Sequence, residues 1–230
     1  MTKQGKFERE VLNPKDSRGL TMGLLYVGKT FTEHCWPNME KVLNQRLAAI
    51  KNVDSELSSY TRLTYLAIVL FFSYVDGTAL STKKLLRNAK KNLLLKKISK
   101  KQHGLLEKPD DRISFEELMK IQFSILPHAI GAPVEYGTIK QQSLGNVFKL
   151  RKIRNRIVHP SGLYDLIGID VTDLGGKDIN TPIAELMEQL HQMLVRCARR
   201  LIPLENREKA DLQSWIRARE FDLKSPPEDT

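Results

Sequence analysis

The sequence predicts an all-α protein, a helical bundle, on the strength of three observations. Apolar residues recur at helical spacing over most of the chain, residues that favour helix starts precede several of these stretches, and no set of strands that could pair is visible. The 230 residues suit one domain with tails, and 41% hydrophobic with 28% charged residues is typical of a folded chain. We expect a mobile N-terminal tail over 1–20, a helical domain over 21–205, and a C-terminal helix and tail over 206–230.

The first helix in chain order is predicted to begin near Pro37, because proline is favoured in a first turn. Its apolar stripe comprises Met39, Leu43, Leu47 and Ile50. A second helix is predicted over the thirteen uncharged residues from Leu63 to Val75. Since a membrane span needs about twenty predominantly apolar residues, we interpret this run as a central helix buried on nearly all sides.

Two later helices are predicted from residues that commonly cap helices. Ser114 precedes two glutamates and is expected to cap a helix that Pro127 ends, whereas Thr181 and Pro182 are expected to begin another. The apolar stripe of this last helix comprises Ile183, Leu186, Leu190, Leu194, Cys197 and Leu201. Residues 128–142 are expected to form a loop, and residues 162–176 a short loop or hairpin.

The positive charge of the chain favours an anionic partner. The formal net charge is +10 and the pI is about 9.6. The densest part, residues 83–101, contains nine cations and no acid, and we predict a helix whose cations point outward to phosphates. A merely solvated helix face stays open as an alternative, because the stretch lacks the aromatic residues on which single-stranded bases stack.

Several kinds of site are absent from the sequence. It contains no glycine-rich phosphate loop, no HExxH, no paired CxxC and no Gly-x-Ser-x-Gly. Its two cysteines, Cys35 and Cys197, cannot form a disulfide framework or a structural zinc site. We therefore predict no metal and no cofactor. The first residues mix both charges without an apolar core, so we expect a cytoplasmic protein without a signal peptide.

The most specific pattern is the segment Leu150–Pro160, LRKIRNRIVHP. Its apolar residues, with Val147, form a helical stripe that anchors the segment. Asn155 and His159 lie four residues apart and so share a helix face, which the long Arg154 can reach. Pro160 disfavours helical geometry at His159. We predict that a guanidinium, an amide and an imidazole converge at one helix end.

Arg154-Asn155-x3-His159 resembles the R-x4–6-H signature of the HEPN superfamily, small all-α proteins that include many prokaryotic ribonucleases. Arg and His alone are expected about once by chance in such a chain, but the adjacent Asn, which family members commonly carry, lowers this to roughly 0.04. The run that ends at Asp76 is similar to the family's early helix, which has an acidic residue near its end. Where some toxin members carry a modifiable Tyr, this chain has Ser161.

The resemblance implies a metal-independent endoribonuclease of a toxin–antitoxin or anti-phage defence system, with RNA as substrate and an antitoxin or defence protein as partner. It also implies a homodimer with a composite site. His159 would transfer protons, Arg154 would stabilise the phosphate, and Asn155 would orient the imidazole or bind the phosphate. Asp76 is expected to pair with a cation, with Arg154 as one candidate. The cations expected to bind RNA are Lys83, Lys84, Arg87, Lys90, Lys91, Lys97, Arg151 and Arg156.

Two other functions stay open from the sequence. The chain could be a non-catalytic helical module that binds nucleic acid or a partner protein through 83–101, or an interaction protein whose charge only keeps it soluble. An interpretation of the motif without any catalytic role is that Arg154 is a solvated cation and that His159 stabilises a helix end. The other four histidines, His34, His103, His128 and His191, are interpreted as structural.

Overall fold

The computed structural model describes residues 12–50, 53–92, 94–95, 98–132, 141–158 and 179–201. Every regular element in these ranges is helical and none is a strand, which confirms the predicted all-α class. The expected hairpin or loop at 162–176 lies outside the described ranges, as does the expected C-terminal helix and tail over 206–230.

Eight α-helices occur in the described residues. They are α1 (Ser17–Thr30), α2 (Trp36–Ile50), α3 (Val53–Lys91), α4 (Lys100–Glu107), α5 (Phe115–Lys120), α6 (Leu126–Ala129), α7 (Gln141–Val158) and α8 (Asn180–Leu201). A π-helical turn, Phe31–Cys35, connects α1 to α2, and a second, Ile121–Ile125, connects α5 to α6. A 3-10 turn, Asp110–Arg112, lies between α4 and α5.

Helix α3 organises the bundle. It has 39 residues and is therefore about 58 Å long, and it packs against α1, α2, α4, α5 and α7. Its inner face contributes fully buried Ile68, Phe71 and Phe72 to the core. Its outer face stays open, with Leu66 44% exposed and Ser73 and Gly77 also exposed. The prediction of a helix buried on nearly all sides is therefore wrong for this face.

The same helix bears on the question of a membrane. Within the described residues, Thr61–Lys91 is the one helical stretch whose length and composition would allow it to cross a membrane. Its most apolar window of 18 residues has a mean hydropathy of 1.6. Of that window, 44% is buried inside the bundle. A core helix of a soluble protein meets the same criterion, and the structure is compatible with a soluble protein.

The chain joins the bundle earlier than the sequence suggested. Leu12 is buried, and the side chains of Asn88 and Asn92 on α3 donate hydrogen bonds to the carbonyls of Leu12 (2.7 Å) and Pro14 (2.5 Å). Asp16 then caps α1 by accepting a hydrogen bond from the backbone of Gly19. The predicted mobile tail over 1–20 is therefore wrong for residues 12–20, because these long-range bonds anchor them.

The capping residues in the sequence predicted the starts of α5 and α8 to within one residue. Ser114 and Glu117 form a capping box at α5, as the cap prediction requires. The helical path continues beyond Pro127, however, because the π-helical turn delivers this proline to the first turn of α6, where its missing N–H is no loss. Helix α8 begins at Asn180, one residue before the predicted cap, and its predicted apolar stripe is buried except at the half-buried Leu201.

One prediction for α2 is wrong at a single position. Leu47 is 44% exposed, whereas the neighbouring Arg46 is only 2% exposed. The Arg46 guanidinium donates from Nε to Thr64 Oγ1 (2.9 Å) and from Nη1 to Asn180 Oδ1 (2.8 Å). These hydrogen bonds join α2, α3 and α8, and they offset the cost of burying the charge.

Candidate active site

Helix α7 presents the motif residues. Val147 and Leu150 are buried and Ile153 and Ile157 are half-buried against the core, so the predicted apolar stripe is confirmed. The helix ends at Val158, and the next residue in the sequence, His159, lies outside the described residues. Arg154 and Asn155 therefore occupy the last turns of α7, directly before the histidine of the motif.

Aromatic contacts fix α7 against the bundle. The rings of Phe72 and Phe115 meet edge to face with centroids 5.3 Å apart, and those of Phe115 and Phe148 meet in the same way at 6.1 Å. The guanidinium of Arg151 lies over the Phe115 ring, 4.8 Å from its centroid. Burial lowers the pKa of Arg151, which the Asp76 charge opposes. Arg151, which was predicted to bind RNA, is thus half-buried with its guanidinium against an aromatic ring, and its binding of RNA stays a prediction.

Asp76 on α3 faces the arginines of α7. It is half-buried, and its Oδ1 is buried without a hydrogen-bond partner. Burial raises the pKa of Asp76, and the charges of Arg151 and Arg154 partly oppose this rise. The structure brings Asp76 near both arginines, yet it forms no direct ion pair with either in the described part of the chain. The expected ion pair of Asp76 is therefore not present among the described residues.

The guanidinium of Arg154 is hydrogen-bonded to the neighbouring Asn155. Its Nη1 donates a hydrogen bond to Oδ1 of the exposed Asn155 at 3.1 Å. Its Nε is buried without a hydrogen-bond partner. The half-buried guanidinium therefore has its Nε edge inside the protein, and Asn155 accepts a hydrogen bond from its Nη1.

Arg156 lies further along α7 and is exposed. Its charge acts on Tyr65, whose pKa is raised mainly by burial. Asp76 interacts electrostatically with Arg151 and Arg154, whereas Tyr65, which comes earlier on α3, interacts with Arg156, which comes later on α7. This order indicates that α7 runs antiparallel to this part of α3. Of the two RNA-binding arginines predicted on α7 outside the motif, Arg156 alone is exposed.

The predicted basic helix over 83–101 is interrupted. Helix α3 ends at Lys91, and α4 begins at Lys100, where Ser99 and Gln102 form a capping box. A break is therefore present where one continuous helix was expected, because Ser99 provides a new helix start. Lys97 lies outside the described residues.

The cations of this stretch do not all point outward. Lys83 is only 1% exposed, and its ammonium group bonds to the Lys108 carbonyl and the Asp110 carboxylate. The outward prediction is wrong for Lys83, because this side of α3 is covered by the segment that follows α4. Lys90 is half-buried and pairs with Glu107 at 3.7 Å. Lys84 and Lys91 are exposed and Arg87 is half-buried.

Two buried polar side chains, those of His191 and Gln122, were not indicated by the sequence pattern. His191 Nδ1 lies 2.7 Å from Thr32 Oγ1, and that hydroxyl donates to the Gly28 carbonyl at 2.9 Å. Since the hydroxyl has one proton, His191 Nδ1 is the donor in this contact. Gln122, in the second π-helical turn, is fully buried, and neither atom of its amide has a hydrogen-bond partner. The Thr32 partner of His191 lies 159 residues away in the sequence, so periodicity cannot reveal this contact.

The cysteines and cavities of the described residues do not belong to this site. Burial raises the pKa of Cys35 to about 11 and that of Cys197 to about 12, so both thiols stay protonated at neutral pH. No cluster of three or more His, Cys, Asp or Glu suited to a metal occurs among the described residues. A cavity of 410 Å³ lies between α2 and α8, and one of 330 Å³ between α1 and α3. Neither is lined by Arg154, Asn155 or Asp76.

No family model matches the chain, and no curated protein or solved structure matches it. The resemblance to HEPN proteins therefore depends on the motif in the sequence, on the helix that carries its Arg154 and Asn155, and on the all-α fold of the described residues.

Proposed function

We propose that this protein is a metal-independent endoribonuclease of HEPN type that cleaves RNA by attack of a 2′-hydroxyl. The observation that carries the proposal is the placement of Arg154. Its guanidinium is half-buried, lies within electrostatic range of Asp76 and bonds to Asn155, and the described part of its helix ends at Val158, the residue before His159 in the sequence. A partly desolvated cation suits phosphate chemistry, because such a cation stabilises charge more strongly than a fully solvated one.

The reaction requires two proton transfers. The 2′-oxygen attacks the neighbouring phosphorus and loses its proton to a base, while the bond to the 5′-oxygen breaks and that oxygen gains a proton from an acid. The products are a 2′,3′-cyclic phosphate and a 5′-hydroxyl, and water can then open the ring to a 3′-phosphate. His159 has the pKa range for either transfer. Arg154 would bind the non-bridging oxygens with its outer N–H groups.

Asn155 and Asp76 would position Arg154. The Asn155 oxygen already accepts from Nη1, so its own amide N–H groups are available for a phosphate oxygen or the imidazole. Asp76 would hold the inner edge of the guanidinium through charge. Both residues act on Arg154 and are therefore positioning residues in this proposal.

A two-fold dimer would supply the second proton-transfer group. One His and one Arg are few groups for two transfers, whereas two opposed α7 ends would provide two of each. Among the exposed large apolar side chains, Leu66 (44%) lies on α3 and Val158 (40%) on α7, and we expect these two in such an interface. Leu66→Glu should give a monomer with little cleavage activity, whereas Met22→Glu on α1, also at an exposed apolar position, should not. Sedimentation of both variants tests this.

The decisive experiment measures RNA cleavage in EDTA. Wild type, Arg154→Ala, His159→Ala and the control Lys152→Ala, an exposed cation on the same helix, are compared on one RNA, and the product ends are identified. We expect cyclic phosphate or 3′-phosphate ends from wild type and the control, and no cleavage by the two motif variants. Full activity of His159→Ala, or of a strictly monomeric wild type, would contradict the proposed mechanism.

The biological setting is proposed from the resemblance alone. A cytoplasmic toxin or anti-phage effector should arrest cell growth when expressed without its antitoxin or defence partner, and Arg154→Ala should relieve this arrest. The alternative, a non-catalytic module that binds through 83–101, has less support, because Lys83 and Lys90 are engaged within the fold.

A further inference from the structure

The last turns of α3 carry three cations on one outer face, Lys84, Arg87 and Lys91, which we call the cation row. Their spacing of three and four residues places them one above the other on the helix. Lys84 and Lys91 are exposed, and Arg87 is half-buried with its Nε buried and without a hydrogen-bond partner. None of the three makes an ion pair in the described part of the chain.

The fold has neutralised the neighbouring cations but not these. On one side of the row, Lys83 binds Asp110 and Lys90 pairs with Glu107. On the other side, the Asn88 and Asn92 side chains anchor the N-terminal segment. The row therefore lies between two packed borders and has no acidic partner among the described residues, which is the footprint expected of an anion-binding surface.

The row lies on the same helix as Asp76 of the candidate active site, further toward the C-terminal end. At about 100° per residue, Arg87 lies three turns after Asp76 and within about 20° of it around the helix, whereas Lys84 and Lys91 lie about 80° and 60° from it. With a rise of about 1.5 Å per residue, Lys84 lies about 12 Å and Lys91 about 22 Å along the axis from Asp76. Because Asp76 faces Arg154, the row extends away from the motif along the same helix.

Successive cations of the row are separated by about 4.5 and 6 Å along the axis. A stacked strand rises about 3.4 Å per nucleotide, and an unstacked strand rises more, so one strand can place successive phosphates near successive cations. The row and its borders carry no aromatic side chain on which a base could stack. Contacts there would reach the backbone and would read little sequence.

We propose that the cation row binds the phosphates of a single RNA strand whose scissile bond lies at Arg154. This inference rests on the proposed ribonuclease function and adds the path of the substrate. The distance from Asp76 to Lys91 corresponds to about six or seven stacked nucleotides. RNA that extends this far from the scissile bond should bind more tightly than RNA that does not.

The test uses the His159→Ala background, so that RNA is bound but not cleaved. Affinities for a four-nucleotide and a fourteen-nucleotide RNA are measured for the parent, for a row variant with Lys84, Arg87 and Lys91 changed to Gln, and for a control with Lys29, Lys41 and Lys120 changed to Gln. The control loses the same charge from exposed positions elsewhere. Circular dichroism verifies that all three are folded.

We expect the parent and the control to bind the longer RNA at least tenfold more tightly than the shorter one. The row variant should lose this advantage, and its salt slope should fall by about 2, since each phosphate contact on a single strand contributes about 0.7. If the row variant and the control lost affinity for the longer RNA to the same extent, the proposal would be overturned. It would also be overturned if polyglutamate displaced the longer RNA from the parent as well as an unlabelled RNA of the same charge does.

The outcomes separate this inference from the function on which it rests. If wild type cleaves RNA and the row variant keeps the length advantage, the path is wrong and the ribonuclease stands. If wild type cleaves nothing while the row variant alone loses binding, the ribonuclease is wrong and the row is a binding surface. If neither effect is seen, both proposals are wrong.

Discussion

Asp76 Oδ1 on α3 and Arg154 Nε on α7 are both buried without a hydrogen-bond partner among the described residues, and the charge of Arg154 acts on Asp76 across the contact between the two helices. A pair that served stability alone would gain from direct contact, because each group has already been taken out of water. Perturbed carboxylates beside incompletely bonded cations are found more often at functional sites. This relationship gives the motif a structural setting that its sequence alone does not.

The first prediction concerns the pH dependence of stability. Burial raises the pKa of Asp76 in the folded protein, so the folded state binds its proton more readily than the unfolded chain. Above the folded pKa the ionised carboxylate lowers stability, and this penalty disappears as the pH falls through that value. Asp76→Asn should therefore raise Tm at pH 7.5, with the difference from wild type closing toward pH 4.

Glu117→Gln is the control of opposite sign. The Lys108 ammonium bonds to Glu117 and lowers its pKa, so its contribution is present at neutral pH and lost on acidification. This variant should lower Tm at pH 7.5 and converge with wild type at acid pH. A lower Tm for Asp76→Asn at pH 7.5 would show that attraction to the arginines outweighs the cost of burial.

The second prediction distinguishes the contribution of the guanidinium N–H donors of Arg154 from the contribution of its charge. Arg154→Lys keeps a cation but loses the paired donors and the bond to Asn155, so single-turnover cleavage should fall about 100- to 1,000-fold. Asn155→Ala leaves the guanidinium in place without its support and should cost less than this. Equal activity of Arg154→Lys and wild type would mean that charge alone is needed.

The third prediction distinguishes buried from exposed lysine on the same helix. Lys83→Ala removes the donor to the Lys108 carbonyl and the partner of Asp110, and should lower the free energy of unfolding in urea by about 1–3 kcal/mol. Lys84→Ala, at the exposed neighbouring position, should change it by less than about 0.5 kcal/mol. Similar values for the two variants would contradict the observed burial of Lys83.

The fourth prediction is a stabilising substitution. Gln122 is fully buried with both amide atoms unbonded, so replacing the amide by an apolar group of similar size removes a desolvation cost. Gln122→Met should raise the free energy of unfolding by about 1 kcal/mol, measured in urea. The same change at Gln102, which completes the capping box of α4, should lower it. A loss of stability at Gln122 would show that its amide is bonded in solution.

The sequence predicted those features that depend on neighbours along the chain. The capping box at Ser114 and the apolar stripe of α7 follow from residues a few positions apart, and both are present. The burial of Lys83 depends on Asp110, 27 residues away, and that of Arg46 on Asn180, 134 residues away. Helical periodicity contains no information on such pairs, so an outward lysine was the natural but incorrect expectation.

The same limit applies to the candidate site. The motif indicated Arg154 and Asn155 directly, whereas Arg151 appeared as one more surface cation. Its position over Phe115 depends on how α5 packs against α7, which only the folded chain reveals. The grouping of Asp76 with two arginines likewise results from the antiparallel contact of α3 and α7.

The π-helical turn Ile121–Ile125 also has a consequence for chain length. Its hydrogen bond from Leu126 N–H to Ile121 carbonyl spans five residues where an α-helical bond spans four, so the turn accommodates one additional residue. Deletion of the exposed Ser124 would restore α-helical bonding, and the residues on either side would keep their faces toward the core. A deletion in a regular turn of α3 or α7 would instead rotate everything beyond it by about 100°. Natural loss of a single residue should therefore be tolerated at this turn and not within those two helices.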